Sequence, residues 1–154
     1  MPAISILPED VAVLEAWEAP YEFHARHSAI RREYRYVLDV GRVASPLLRR
    51  FAAAAPRRLD IAAMNQALQL VVGTHDFAAL TSGPPEGSTV RTCYAAGCTQ
   101  SELLGQPLVL IDVAANAFLR QMVRNLVGTL LLVGEGRWSV EAFGDVLQSC
   151  DRRR

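Results

Sequence analysis

Lysine is absent from this chain of 154 residues, and all 16 of its cationic residues are arginine. Arginine suits bidentate recognition of phosphate and carboxylate groups, and its guanidinium stacks on bases. A biased genome composition would give the same pattern, so the absence by itself identifies no ligand. The 16 acidic residues bring the net charge to zero. A neutral chain does not coat nucleic acid with its whole surface, but it can carry a local basic stripe.

Cysteine and long apolar runs are also scarce. Three cysteines form no even framework, which favours free thiols in a reducing compartment. The longest apolar stretch, Leu126 to Gly134, is too short to span a bilayer. The first residues include Glu9 and Asp10 and no basic segment, so we expect no signal peptide. A soluble cytoplasmic protein is the expectation.

Several catalytic and metal-binding motifs are missing. There is no P-loop, no dinucleotide-binding fingerprint and no G-x-S-x-G sequence. His24 and His27 are an odd number of residues apart, as are Cys93 and Cys98. On regular strands each pair would point to opposite faces, and neither spacing is typical of zinc. We therefore expect no metal site.

The pattern of apolar residues predicts alternating strands and helices. Val11, Val13 and Trp17 indicate a strand or a crossing segment. Strands are predicted over 29–40, 90–101 and 108–113, with a turn near 105–107. Helices are predicted from the cap Asp60 to Gly73, from the cap Asn116 to Val133, and from the cap Ser139 to Cys150. Because at least two strands are joined by a tight turn, we predict an α+β fold: a mainly antiparallel sheet with helices packed on one face.

An arginine- and tyrosine-rich segment is the most distinctive feature of the predicted first strand. It contains Arg26, Arg31, Arg32, Tyr34, Arg35 and Tyr36. Alternation along a strand puts Arg32, Tyr34 and Tyr36 on one face. Cations interleaved with rings can hold a phosphate backbone and an unstacked base. The plainer alternative, which these residues alone favour, is a solvated strand with two half-buried tyrosines.

Arg120 and Arg124 lie one turn apart on the predicted helix that starts at Asn116. The second half of that helix is apolar all round and should be buried, so we expect Arg124 to lie close to the core. A cation there needs an anionic partner. The residues leave three partners open: a carboxylate in a site, an RNA phosphate, or a structural pair with Asp112.

Five segments, in order, resemble the TruA family of tRNA pseudouridine synthases. They are LPEDVAV at 7–13, FHARHSAIRREYRYVL at 23–38, GTHDFAAL at 73–80, STVRT at 88–92 and ANAFLRQMVRNLVGTLLLVGEG at 115–136. The second resembles the family's F-H-A-R-x-S-A…Y-R-Y stretch, and the last resembles its N-x-F-L-x-x-M-V-R-x-x-V-G-T-L helix. The resemblance covers nearly the whole chain, and five ordered blocks are far more specific than one.

The resemblance implies conversion of uridine to pseudouridine in the anticodon arm of tRNA, without a metal or organic cofactor. It implies that Tyr34 stacks on the target uracil and that Arg124 pairs with the catalytic carboxylate and keeps it ionised. It also implies, less directly, that RNA contacts are made by Arg26, Arg32, Arg35, Arg91 and Arg120. Homodimer formation is expected by the same resemblance.

The chain departs from the family pattern in one respect that affects its activity. The family's aspartate lies in an R-T-D-A-G-V-H-type loop, and no aspartate here has a similar context. The closing T-A-P-A-x-G-L segment and final strand are also missing. We therefore interpret residues 1–21 as the remnant of an interdomain segment and 22–154 as a truncated C-terminal RNA-binding and catalytic-cleft domain. We expect this chain alone to be inactive. The alternatives are a non-catalytic RNA-binding or dimerising remnant, and an unrelated α+β domain with Arg124 in bulk solvent.

Overall fold

A computed structural model describes residues 7–8, 11–83 and 87–149. Its elements, in chain order, are β1 (Arg32–Asp39), β2 (Ala53–Ala54), α1 (Ile61–Gln69), β3 (Gly73–Asp76), β4 (Val90–Leu103), β5 (Gln106–Ala115), α2 (Met122–Gly134) and α3 (Val140–Ser149). A short 3-10 turn, Ala78–Leu80, follows β3. Within the described ranges, no helix has the length and apolar character that crossing a membrane requires.

The strands form one sheet in the order β2-β1-β5-β4-β3. The pairs β1–β5, β5–β4 and β4–β3 are antiparallel, and only the short β2 runs parallel to its neighbour β1. A two-residue turn joins β4 to β5, with positive φ at Leu104 (54°) and Gly105 (74°). Both strands are therefore longer than predicted, since such turns continue the pairing to their very ends.

The three helices pack on one face of this sheet, which confirms the predicted α+β fold. The core is built from α1, α2 and α3 against alternate residues of β1, β4 and β5, and its largest fully buried side chains include Leu38, Met64, Leu68, Ile111, Leu126, Leu130 and Phe143. Burial of each such side chain contributes about 1.5–3 kcal/mol. The apolar residues of the helices and strands thus meet on this one face of the sheet.

The first strand begins three residues later than predicted. His24 to Ser28 fold into a turn in which the amides of His27 and Ser28 donate to the carbonyl of His24, at 3.1 and 2.8 Å. This turn precedes the predicted strand, and β1 starts at Arg32 because its partner β5 ends at Ala115, the residue opposite Arg32. The predicted strand or crossing segment near Val11 and Trp17 is likewise not regular: residues 11–20 form no strand and are exposed.

The predicted orientations of the histidine and cysteine pairs are wrong. His24 and His27 sit in a turn, and their ring centroids are 4.3 Å apart. Cys93 and Cys98 are both buried in the core, because a register shift between Cys93 and Ala95 inserts one extra residue into β4. Such a bulge restores a common face to residues at odd spacing. Regular alternation failed because neither segment is regular.

Helix α2 begins at Met122, six residues after the predicted cap. The side-chain oxygen of Asn116 accepts hydrogen bonds from the amides of Thr92 (3.0 Å) and Ala117 (2.8 Å). Asn116 thereby ties the end of β5 to β4 instead of capping a helix. Asparagine side chains often bond to nearby backbone groups in this way and so disfavour a helix. Gln121, with a φ of 61°, marks the entry into the helix.

Candidate functional site

Tyr34 lies on β1 opposite Val113 of β5 and is 53% exposed. Its ring meets the ring of Phe118 edge to face, with centroids 5.0 Å apart and an interplanar angle of 82°. This is a favourable geometry for an aromatic pair. One side of the Tyr34 ring is supported by the protein, and the exposed remainder is available to another flat group.

A shallow cavity of about 210 Å³ joins Tyr34 to the first turn of α2. It is lined by Tyr34, Tyr36, Phe118, Leu119, Gln121, Met122, Val123 and Arg124. We call it the Tyr34 pocket. Its walls are mostly aromatic and apolar, with a single cation at the rim. Within the described residues no aspartate or glutamate lines it, so any carboxylate acting there has to come from outside this set.

The structure corrects the expected surroundings of Arg124. Its side chain is exposed and does not lie close to the core, because α2 buries Met122, Leu126 and Leu130 on the side that faces away from it. In the part of the chain that is described, no hydrogen bond or ion pair engages its guanidinium. Asp112, the structural partner that the sequence left open, is paired with another arginine. Arg124 is therefore a cation held beside Tyr34 with its bonding capacity unused.

Arg32 is engaged within the protein, unlike Arg124. Its guanidinium donates to the carbonyls of Asn116 (2.6 Å), Arg26 (2.6 Å) and Ala29 (3.2 Å). Three carbonyls around one guanidinium use most of its donors. Arg32 thus fastens the chain before β1 to the loop after β5, and that loop contributes Phe118 and Leu119 to the Tyr34 pocket.

Arg35 is neutralised by an acid on the opposite face of the strand from Tyr34. Its Nε and Nη2 atoms donate to the two carboxylate oxygens of Asp112, at 2.7 and 3.0 Å. The hydrogen bonds to Asp112, and then its charge, raise the pKa of Arg35. Arg31 is similarly paired with Glu33 at 2.7 Å and lies over the ring of Tyr94, 5.7 Å from its centroid.

The remaining predicted RNA contacts are distributed and not gathered at the pocket. Arg26 is exposed, before β1. Arg91 donates to the carbonyls of Ser88 (2.8 Å) and Val90 (2.7 Å), while its Nε is buried without a partner among the residues described. Arg120 is exposed, and its carbonyl accepts from the amide of Ser82 at 3.1 Å. None of these three lines the Tyr34 pocket.

The segment from β5 to α2 brings the two sides of the pocket together. Asn116 anchors its start, and the Arg120 carbonyl receives Ser82 near its end. Asn125, in the first turn of α2, donates to the carbonyl of Leu80 at 2.8 Å. These bonds fix the segment at both ends, so that Phe118 meets Tyr34 of β1 and Arg124 lines the same pocket without relying on apolar packing alone.

A buried carboxylate orders the chain at the other end of β1. The side chain of Asp39 is 3% exposed and accepts hydrogen bonds from the amides of Ser45 (2.8 Å) and Gly41 (3.0 Å) and from Gln106 (2.6 Å). The Ser45 amide, followed by Gln106, lowers the pKa of Asp39. The loop that follows β1 is therefore held to the sheet by an ionised group.

Neither thiols nor metal ligands add chemistry in the described residues. Burial raises the pKa of Cys98 to about 11 and raises that of Cys93 as well, so both thiols stay protonated and unreactive at neutral pH. No three His, Cys, Asp or Glu side chains of the described ranges gather closely enough to hold a metal ion.

The sequence reasoning missed Phe118 as a wall of the pocket. Phe118 falls in the same ANAFLRQMVR block as Arg124, so the signal was present. Its partner was not evident, because the residue was assigned to a helix and its ring was not expected to face β1. The edge-to-face contact depends on the irregular segment that precedes α2.

The chain is similar to known proteins of one kind. A family model described as tRNA pseudouridine synthase matches residues 67–154. The tRNA pseudouridine synthase A of Roseiflexus castenholzii is 68% identical over 148 residues, which are 96% of this chain and 55% of that protein. The proteins of the same name from Chloroflexus aurantiacus and Neisseria meningitidis serogroup B are 52% and 45% identical, over 96% and 95% of this chain and 53% and 54% of their own lengths. The chain spans about half the length of the curated relatives it matches.

Proposed function

This chain belongs to the TruA-type tRNA pseudouridine synthase family, and we propose that it provides the base-binding and carboxylate-orienting side of a site that isomerises uridine to pseudouridine in tRNA. The observation that carries the proposal is the shared pocket: Tyr34 of β1 and Arg124 of α2, distant in sequence, line one cavity of about 210 Å³. The family match contradicts the alternative of an unrelated α+β domain.

Tyr34 binds the target base in this proposal. A uracil that has been turned out of its stack needs an aromatic or apolar surface to lie against. The exposed part of the Tyr34 ring, supported edge-on by Phe118, offers such a surface. Base–aromatic stacking contributes about 1–3 kcal/mol.

Arg124 orients the nucleophilic carboxylate in this proposal. Its guanidinium has no partner among the described residues and lies at the pocket rim, where a carboxylate could pair with it in bidentate geometry. The isomerisation then balances within one nucleotide. The carboxylate bonds to C1′ of the sugar and breaks the N-glycosidic bond, and the base turns. C5 then bonds to C1′ as the carboxylate leaves, the C5 proton is released, and N1 takes up a proton. Neither a metal nor an organic cofactor enters these steps.

The carboxylate itself comes from outside the described pocket residues, so we propose that this chain alone is inactive. No acid lines the Tyr34 pocket within the described ranges. This observation also supports a second candidate function: a non-catalytic part that binds RNA or dimerises. The anticodon stem-loop as target, homodimer formation and a cytoplasmic location belong to the same proposal as its finer parts.

Two measurements on the purified chain test the proposal. With tRNA carrying tritium at C5 of uridine, we expect no release of tritium. With a fluorescein-labelled anticodon stem-loop RNA, we expect binding that Tyr34→Ala weakens about tenfold, the effect of losing one stack. Tyr94→Ala is the matched control, since Tyr94 lies on β4, outside the pocket.

The two measurements have separate failures. Tritium release by the chain would show that it contains its own nucleophile, which would overturn the proposed division of the site. Equal affinities of wild type and Tyr34→Ala for the stem-loop would remove the base-binding role of the pocket. Sedimentation of the same samples measures whether the chain is dimeric.

A further inference from the structure

An arginine-rich groove lies beside the Tyr34 pocket, at the outer edge of β1. It has a volume of about 400 Å³ and is lined by Arg35, Tyr36, Val37, Arg49, Arg50, Phe51, Ala52 and Ala53. No acidic residue lines it. The proposed base-binding role of Tyr34 does not use this groove, and the sequence pattern singled out none of the residues Arg49 to Phe51.

Two of the three cations that line this groove, Arg49 and Arg50, are unpaired among the described residues, whereas Arg35 is paired with Asp112. Arg49 and Arg50 are exposed, and none of the described residues forms an ion pair or hydrogen bond with either guanidinium. The neighbouring Phe51 is 77% exposed. Two adjacent unpaired guanidiniums beside an exposed ring offer positive charge and a stacking surface in one place.

The backbone that carries these three residues is ordered. Leu48 is buried, and its carbonyl accepts the amides of Phe51 and Ala52, both at 2.8 Å. Upstream, Asp39 holds the Ser45 amide at 2.8 Å. Because the turn is fixed before any ligand arrives, less ordering entropy opposes binding.

Tyr36 connects the groove to the Tyr34 pocket, since it lines both cavities. Resting on the proposed function, we propose that the groove binds the single-stranded RNA that adjoins the target uridine, with Arg49 and Arg50 on phosphates and Phe51 against a neighbouring base. Cations interleaved with an exposed ring are the features that unpaired RNA requires.

An added polypeptide strand is the competing occupant. β2 pairs with β1 only at Leu38 and Asp39, so the remainder of that edge of β1 has no strand partner among the described residues. Edges of this kind attract other strands. The charges favour RNA, because a strand docking there would bury two guanidiniums without an acid in the groove to pair with them.

The test compares two double substitutions in the same chain. Arg49→Gln with Arg50→Gln removes the groove cations, and Arg57→Gln with Arg58→Gln removes another adjacent exposed pair, which lines a different cavity beside Asp60. Binding of the fluorescein-labelled anticodon stem-loop RNA is followed between about 50 and 200 mM salt. We expect the groove variant to bind about tenfold more weakly, with a salt slope lower by about 1.4, the value for two phosphates of single-stranded RNA.

The remaining variants separate the outcomes. Phe51→Ala is expected to weaken binding about tenfold with an unchanged salt slope, because stacking releases no counterions. Equal losses in the two double variants, or none in the groove variant, would overturn the groove proposal. So would a groove variant that loses self-association but keeps its RNA affinity, since the occupant would then be a second copy. If Tyr34→Ala weakens binding and the groove variant does not, the groove proposal fails alone; if the wild-type chain binds no stem-loop, the proposed function fails with it.

Discussion

The two faces of β1 carry similar residues and use them differently. On the face we call the paired face, Arg35 is matched by Asp112, and Asp39 is matched by backbone amides and Gln106. On the pocket face, Arg32 is used up by three carbonyls, while Tyr34 is half exposed and Arg124 is unpaired in the described part of the chain. Arginine content therefore does not locate a binding surface. In our proposal, the guanidiniums that the fold leaves unmatched do so.

The largest expected effect is at the buried end of the paired face. Asp39→Asn should lower the free energy of unfolding by about 3 kcal/mol, because three donors would lose a charged acceptor in a buried place. Asp145→Asn, at an exposed position of α3, is the control and should change it by less than about 0.5 kcal/mol. Urea unfolding measures both. A loss in the control as large as that in Asp39→Asn would mean that burial does not distinguish them.

The Asp39→Asn substitution should also alter how the free energy of unfolding depends on pH. The folded-state pKa of Asp39 is lowered, whereas unfolding returns it to about 3.9. The unfolded chain then binds the proton more tightly, so the stabilisation is present above about pH 4 and is lost as the pH falls through the lower, folded-state pKa. The difference between wild type and Asp39→Asn should therefore shrink below about pH 4. A difference that stays constant on acidification would contradict this origin.

The next effect compares two arginines of the pocket face. Arg32→Gln should lower the free energy of unfolding by about 2 kcal/mol, since it removes charge-assisted bonds to three carbonyls. Arg124→Gln should change it by less than about 0.5 kcal/mol, because its exposed guanidinium has no described partner to lose. Urea unfolding of both variants gives the comparison. A destabilisation by Arg124→Gln equal to that of Arg32→Gln would mean that Arg124 has a structural partner after all.

The smallest expected effect tests whether an ion pair keeps an arginine from binding RNA. Asp112→Asn removes the acid that neutralises Arg35, and we expect the chain to bind the anticodon stem-loop RNA about threefold more tightly, with a salt slope steeper by about 0.7, as for one added phosphate contact. Arg35→Gln should cause little change in the wild-type background. If Asp112→Asn binds RNA no better than the wild type, neutralisation of Arg35 by Asp112 does not explain why the paired face of β1 binds no RNA.

The fold followed from the sequence where residues are regular. The apolar spacing from Ile61 onwards and in α2 predicted the helices, and the turn residues near Gly105 predicted the β4–β5 hairpin. The predicted faces and boundaries were wrong where a single residue interrupts the regular alternation of a strand or the start of a helix. The bulge after Cys93 brought Cys98 to the same face, and the bonds of Asn116 delayed the start of α2.

Tyr34 and Arg124 were singled out by the sequence, but their proximity was not derivable from spacing. Burial of Arg124 was predicted from the apolar half of its helix, and that prediction was wrong. The helix buries Met122 and Leu126 on the side that faces away from Arg124, which leaves the arginine exposed. Phe118 and the groove at Arg49 to Phe51 were missed, because their contacts join segments that are irregular in sequence.

By itself the sequence determined the kind of domain, the family resemblance and the residue types that meet at the pocket, since these follow from local periodicity and from ordered motifs. Only the tertiary structure decided which arginines are free. Whether a guanidinium is matched depends on which carboxylate or carbonyl the sheet register brings opposite it, and Arg35 meets Asp112 across 77 positions of chain. That register joins two strands that are far apart in the chain, so the pattern of either strand alone does not give it.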